Sequence, residues 1–305
     1  MEPRKVAETT DMTSDDAGKS AGESGLDRTL AQSLAGIEIP PRPVILDQIM
    51  GEMQSEDPNY RRLAALITSD IGLSAWMIKT ANAPVFGYRT KARTVRDALT
   101  MLGLLMVLRT VAGFSLRQSL PEPAALSGFW DAAARIAHLS AWLVRELGVV
   151  HGVRPQEAYT YGLFRDCGIP VLMRVTPDYA AVLDAARRET VAPFTQVESD
   201  RISLNHALVG ASLGRSWYLP EEHCDAILHH HDAPFIRSEP ASDRAAATSR
   251  LIAIGHLADH LQGRSPTFDR EWDKLGADCI ARLDLDESAL RQLMAGAREA
   301  LGVLD

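Results

Sequence analysis

From Ile39 onward, apolar side chains recur every three or four residues, with few alternating stretches long enough to make strands. That period is the signature of helices with one buried face, and it sets the fold class as all-α. After an extended entry, Ile39-Pro40-Pro41-Arg42-Pro43, the residues Val44, Leu46, Ile49 and Met53 share one helical face. Tyr60 to Thr68 forms a second short helix with Leu63, Leu66 and Ile67 inward. Ser69-Asp70 caps a third, in which Leu73, Trp76, Met77 and Thr80 recur and which stops near Ala83-Pro84. A strongly apolar helix then runs through Leu116, and Pro121 and Pro123 end this half of the chain. Trp130, Ala133, Ala137, Ala141, Val144 and Leu147 stripe a helix that ends at Gly148. Further helices are expected near 155–164, 168–174, 177–188, 204–217, 220–231 and 244–262, with a last amphipathic one near 286–301.

The rest of the composition narrows the class of function. With 46% hydrophobic and 24% charged residues, the 305-residue chain is of ordinary globular make-up. A net charge of −8 argues against a protein that coats nucleic acid through its overall field. Cys167, Cys224 and Cys279 lie far apart without a CxxC, so neither a disulfide framework nor a thiolate zinc site is signalled. No signal-type apolar region follows Arg4 and Lys5, and no run of roughly eighteen apolar residues occurs later. A cytoplasmic protein without a membrane partner is therefore expected. Residues 1–25 carry three basic and six acidic groups and almost nothing large and apolar, which makes 1–36 a disordered leader. Gly18-Lys19-Ser20-Ala21-Gly22 within it matches a hydrolase nucleophile elbow in letters, but lacks the strand before and helix after that such a turn needs.

Several segments in fixed order carry a resemblance. They are Pro40-Pro41-Arg42-Pro43, Ile67-Thr68-Ser69-Asp70-Ile71-Gly72-Leu73, Lys79-Thr80-Ala81-Asn82-Ala83, Phe86-Gly87 and Ala98-Leu99-Thr100-Met101-Leu102-Gly103. In the second half, Gly162-Leu163-Phe164-Arg165-Asp166-Cys167-Gly168 resembles GLLHDIG, His206-Ala207-Leu208-Val209-Gly210-Ala211 resembles HAEVGA, and Leu219-Pro220-Glu221-Glu222 with Ala226-Ile227-Leu228-His229-His230-His231 resembles LPEE and AI..HH. The whole resembles the HDOD domain, a bacterial signalling domain related to the HD phosphohydrolases. The resemblance implies an HD-like multi-helix bundle over 37–262, an N-terminal helical half (37–120) packed on an HD-like half (125–262), with 263–305 as a C-terminal helical extension. Asp70, Asn82, Gly103 and Gly168 are its family-motif positions.

The same resemblance implies a pocket. HD phosphohydrolases bind metal through an early-helix His, the His-Asp pair and a distant Asp, and two-metal members add further histidines. Here the early His falls on Ala132 or Ala133, the His of the pair is Arg165, and Asp166 and Asp259 remain. A permanent cation in place of a ligand repels a metal, so the expectation is no metal, no cofactor and no catalytic residue, with Arg165 paired to Asp166 or Asp259. His206, His230 and His231 stand where the two-metal relatives place extra ligands. A residual mononuclear site built from these with Asp166 and Asp259 is chemically allowed, but adjacent helical residues point about 100° apart, so His230 and His231 do not readily share an ion, and the favoured expectation is that the imidazoles hydrogen-bond to the two aspartates. His256 and His260 are four apart without the Glu of an HExxH. His138 is too late to replace the early ligand, and Cys167 reads as a small buried hydrophobe.

Arg89, Lys91, Arg93 and Arg96, beside Tyr88, make a basic stretch that could grip an anion. The alternative, a solvated loop opening a helix at Thr94, is favoured, and a nucleic-acid partner is not expected. Asn82 is expected to cap the carbonyls at its helix end or to sit left-handed there. Two functions remain: a regulatory protein that docks signalling proteins, with a second copy of itself as a further candidate partner, and a metal-dependent phosphohydrolase acting on a nucleotide or cyclic dinucleotide. The missing ligands favour the first.

Overall fold

A computed structural model of the chain describes residues 38–120, 124–148, 152–263 and 269–302. The leader expected at 1–36, with Ser20, and the prolines Pro121 and Pro123 lie outside them. Among the described residues there are fifteen α-helices, two short 3-10 turns and no strand.

The first half is built on one long helix. Helices α1 (Val44–Met53), α2 (Tyr60–Thr68) and α3 (Ile71–Ala81) all pack on α4 (Val95–Ser119). Each starts where its sequence says it should. Pro43 precedes α1 in extended geometry, Asn59 caps α2, and Asp70 accepts the Leu73 N–H at 2.9 Å to cap α3. Thr94 and Asp97 close a reciprocal capping box at the start of α4. Helix α4 is broken at Gly103, whose φ of 72° and ψ of 162° suit glycine almost alone. By length and apolar composition α4 could cross a bilayer, yet 61% of its most apolar window is buried inside this fold.

Asn82 does something the sequence reading did not anticipate. Its backbone is right-handed, and its side chain pairs with Ala92 in both directions, Nδ2 donating to the Ala92 carbonyl and Oδ1 accepting the Ala92 N–H, each at 2.8 Å. It therefore clamps the loop that returns to α4 instead of capping α3.

The second half surrounds another buried helix. Its elements are α5 (Phe129–Glu146), α6 (Pro155–Phe164), α7 (Gly168–Val175), α8 (Tyr179–Arg188), α9 (Phe194–Ile202), α10 (His206–Ser216), α11 (Glu221–His229), α12 (Ala233–Arg237) and α13 (Asp243–Gln262). Two more, α14 (Asp269–Arg282) and α15 (Glu287–Gly302), follow. Helix α13 is buried without interruption from Leu251 to Asp259 and touches α5, α6, α11, α12, α14 and α15. Full burial of Leu251, Ile252, Ile254 and Leu257 contributes about 1.5–3 kcal/mol each. The two halves meet where α4 packs on α6 and the 3-10 turn Pro84–Phe86 packs on α5 and α6.

Helices α9 and α12 are absent from the sequence reading, α14 is expected only as part of a helical extension over 263–305 and not as an element, and the segment expected at 220–231 ends as a helix at His229. The reason is physical. Helix α9 buries only Phe194 and a carboxylate, Glu198. In α14 the inward stripe at every fourth residue is Glu271, Leu275 and Cys279. A buried Glu in the stripe erases the apolar period that marks a helix.

Candidate functional site

The end of α6 sets the centre of the site. The carbonyl-end residue Arg165 and then Asp166 and Cys167 form a tight turn into α7, whose first residue is Gly168. A Cβ on Gly168 would lie 2.0 Å from the His206 carbonyl oxygen, so only glycine lets the first turn of α10 come this close. That approach carries His206 to Asp166, with Nε2 3.7 Å from Oδ1.

Arg165 is 1% exposed and lies between the two surviving aspartates. Its Nε is 3.2 Å from Asp166 Oδ2, its Nη2 3.6 Å from Asp259 Oδ2, and Nη1 donates to the Gly255 carbonyl at 2.9 Å. It pairs with both carboxylates, where the sequence suggested one or the other. Burial works against its charge, but Asp166 and then Asp259 outweigh burial and raise its pKa further. Burial likewise pushes the Asp166 carboxyl up; Arg165, followed by His230, overcomes this and holds it well below the usual carboxylate range. Both groups stay charged.

The histidines converge, contrary to the divergence expected of helical neighbours. Because α11 stops at His229, His230 is its C-terminal cap and His231 lies beyond it. Nε2 of His206 is 3.1 Å from that of His230 and 3.2 Å from that of His231, and His230 Nε2 is 3.3 Å from Asp166 Oδ1. Each ring is anchored from behind. Glu198 Oε2 faces His206 Nδ1 at 2.7 Å, the Ile227 carbonyl faces His230 Nδ1 at 2.6 Å, and Glu271 Oε2 faces His231 Nδ1 at 2.6 Å. Tyr179 donates its hydroxyl to the other oxygen of Glu198, and Phe194 stacks on His231 with ring centroids 5.1 Å apart. Tyr179, Phe194, Glu198 and Glu271 are the members of this network that motif reasoning missed.

Burial lowers the His230 and His231 pKa values, in His231 with further help from the neighbouring imidazoles. For His206 burial also acts downward, but the Glu198 carboxylate more than offsets it and the net shift is up. Burial, then Arg165, pushes His256 down to about 3. His256 Nε2 lies 2.5 Å from the His230 carbonyl, while His260 stacks on Trp272, so these two do not converge as a ligand pair.

The donor set fits a divalent metal. Asp166 and the three histidines each present one ligand atom within 4.8 Å of the others, all buried. Asp166 Oδ1 is buried and receives no hydrogen bond. Ala132 and Ala133, at the early-His position, supply nothing. His138 bonds to the Ala134 carbonyl and sits edge-on to Tyr159. Cys167 is 1% exposed, and burial, then Asp166, pushes its thiol well up, as an inert core residue requires.

The remaining family-motif positions serve the scaffold, Asp70 as a cap, Asn82 as a clamp and Gly103 as a break in α4. Arg89, Lys91 and Arg93 are exposed on the loop into α4, and Arg96 is exposed in its first turn. Lys91 Nζ donates to the Asn82 carbonyl at 3.1 Å, and the Arg93 N–H is taken by Asp97.

The model of the HDOD domain matches residues 39–233. A curated relative, a protein of Treponema pallidum (strain Nichols) described as uncharacterized, is 25% identical over 206 residues, 66% of this chain and 39% of its own length. The chain thus spans about two fifths of the curated relative it matches. Among solved structures, an HDOD domain protein of unknown function from Geobacter sulfurreducens is similar with a TM-score of 0.55 and 22% identity, covering 91% of this chain and 99% of that one. A protein of Shewanella amazonensis SB2B provisionally named a phosphohydrolase gives a TM-score of 0.62 at 22% identity, covering 88% and 93%. At these identities the structures speak for the fold.

Proposed function

The chain belongs to the HDOD domain family, and from that premise we propose that it is a signal-transduction protein that acts by binding other proteins and not by hydrolysis. The observation that carries this reading is Arg165, buried between Asp166 and Asp259. A hydrolase of this class needs a metal and an activated water between those carboxylates. A guanidinium supplies positive charge there but neither an open coordination position nor a water of lowered pKa. The early ligand position is alanine as well.

A second reading, hydrolysis of a nucleotide or cyclic dinucleotide phosphate ester, draws on the convergence of His206, His230, His231 and Asp166. One screen separates the two. Purified protein is assayed for phosphatase and phosphodiesterase turnover with Mn²⁺, Fe²⁺ and Mg²⁺, beside affinity capture from its native cells. No turnover together with a recovered signalling protein is expected. Turnover that disappears in Asp166→Ala would replace the first reading with the second.

A further inference from the structure

The imidazole cluster is wired in a way that hydrogen bonds among its members leave incomplete. The acceptors behind His206, His230 and His231 are a carboxylate, a carbonyl and a carboxylate, so each ring carries its proton on Nδ1 and turns an Nε2 lone pair inward. Asp166 Oδ1, without a donor, joins them. Four acceptors aimed at one point repel one another unless a cation or a shared proton sits among them. Their spacing suits a cation. Ligand atoms about 2.0–2.1 Å from a tetrahedral zinc ion are about 3.3 Å apart; four of the six separations here are 3.1, 3.2, 3.3 and 3.7 Å, and all six are within 4.8 Å.

Nε2 of His206, His230 and His231 and Oδ1 of Asp166, at positions where the two-metal relatives place ligands, are the atoms that would hold a single first-row divalent ion, with Arg165 in the adjoining cation position. We propose that Glu271 of α14 is a positioning residue that makes retention of an ion there depend on the C-terminal segment. This residue lies outside the family-matched stretch 39–233. Its second oxygen is held by Lys274 Nζ at 2.6 Å, and the same ammonium donates to the Ala192 carbonyl at 2.9 Å. Carboxylates placed behind ligand imidazoles fix the tautomer and raise ligand basicity. Glu198 does this for His206 and Glu271 for His231. The inference does not rest on the signalling reading: a bound ion without turnover leaves that reading intact.

The test uses the full chain, stripped with chelator, dialysed and titrated with Zn²⁺ against a chromophoric competitor, with bound metal counted by mass spectrometry. Co²⁺ is added separately for its visible absorption. About one equivalent per chain is expected, with a Co²⁺ spectrum of a nitrogen-rich site, and Asp166→Asn weakens both. Glu271→Gln is expected to weaken Zn²⁺ about 10–100-fold and to lower the metal-bound thermal midpoint by more than the metal-free one. Folded parent protein that takes up no ion after titration overturns the site. A Glu271→Gln variant that binds Zn²⁺ like the parent, or that loses as much metal-free as metal-bound stability, overturns the role given to α14.

Discussion

At the scale of single residues, the pocket is governed by what a buried charge demands. Arg165, Asp166 and Asp259 are each less than a tenth exposed, so removing one member leaves the others uncompensated. Arg165→Met is expected to cost about 3–5 kcal/mol, and Asp259→Asn added to it should restore part of that loss. Urea unfolding of the two single variants and the double, in chelator, checks this through the coupling energy. His223 makes a second case, well away from the imidazole cluster. It is fully buried, faces the Glu157 carbonyl through Nε2, and has its pKa pushed down to about 3 by burial and then by Arg109. The unfolded chain takes up this proton below about pH 6.5, whereas the native protein resists until about 3. The resulting stability is present above pH 6.5 and drains away as pH falls through that window. His223→Gln is expected to flatten the acid limb by up to about 1.4 kcal/mol per pH unit; unfolding midpoints between pH 3.5 and 7 that keep the parent's slope would remove His223 as its source. Asp166, Asp259 and the histidines were legible from motif order alone. Glu198 and Glu271 were not, because a carboxylate that supports a ring from a distant helix leaves no local spacing to read.

At the scale of elements, positions are set by how closely helices approach and where they stop. The expectation that His230 and His231 diverge assumed a continuing helix; its end at His229 swings both rings toward His206. The α7–α10 contact depends on Gly168. Gly168→Ala must push α10 away, since its methyl would overlap the His206 carbonyl. The expected cost is at least about 1–3 kcal/mol, together with displacement of His206 from its partners. Thermal unfolding reads the first, and imidazole chemical shifts read the second. In the first half, Asn82→Ala removes both ties to Ala92 and leaves the backbone of this buried residue short of partners. A loss of about 1–3 kcal/mol is expected, with faster amide exchange confined to the loop before α4. Exchange that rises equally along α3 would show a capping role instead.

At the scale of the molecule, the all-α class and the order of the two halves were legible because apolar period and motif order agree from Ile39 to Gln262. In the C-terminal segment α15 was legible near 286–301, but α14 was not, since it turns a Glu inward. The packing of this segment nevertheless makes it part of the fold. Leu275 and Cys279 of α14 and Leu293 and Ala297 of α15 are buried, Arg282 donates to the Ile236 carbonyl, and Arg237 pairs with Asp278. A chain ending at Gln262 would lose burial of two leucines, about 1.5–3 kcal/mol each, and the charged hydrogen bond from His231 Nδ1–H to Glu271, about 1.5–3 kcal/mol. It would also expose the faces of α13 and α5 that these helices cover. Those losses are comparable with the whole stability of a typical domain, about 5–15 kcal/mol. The shortened chain is therefore expected to unfold without a cooperative transition, or with a midpoint far below the parent's, in calorimetry and urea titration. A truncated protein with the parent's midpoint and native near-ultraviolet circular dichroism would place the stabilising core wholly within the family-matched helices. In that case Glu271 could be no more than a surface partner of His231.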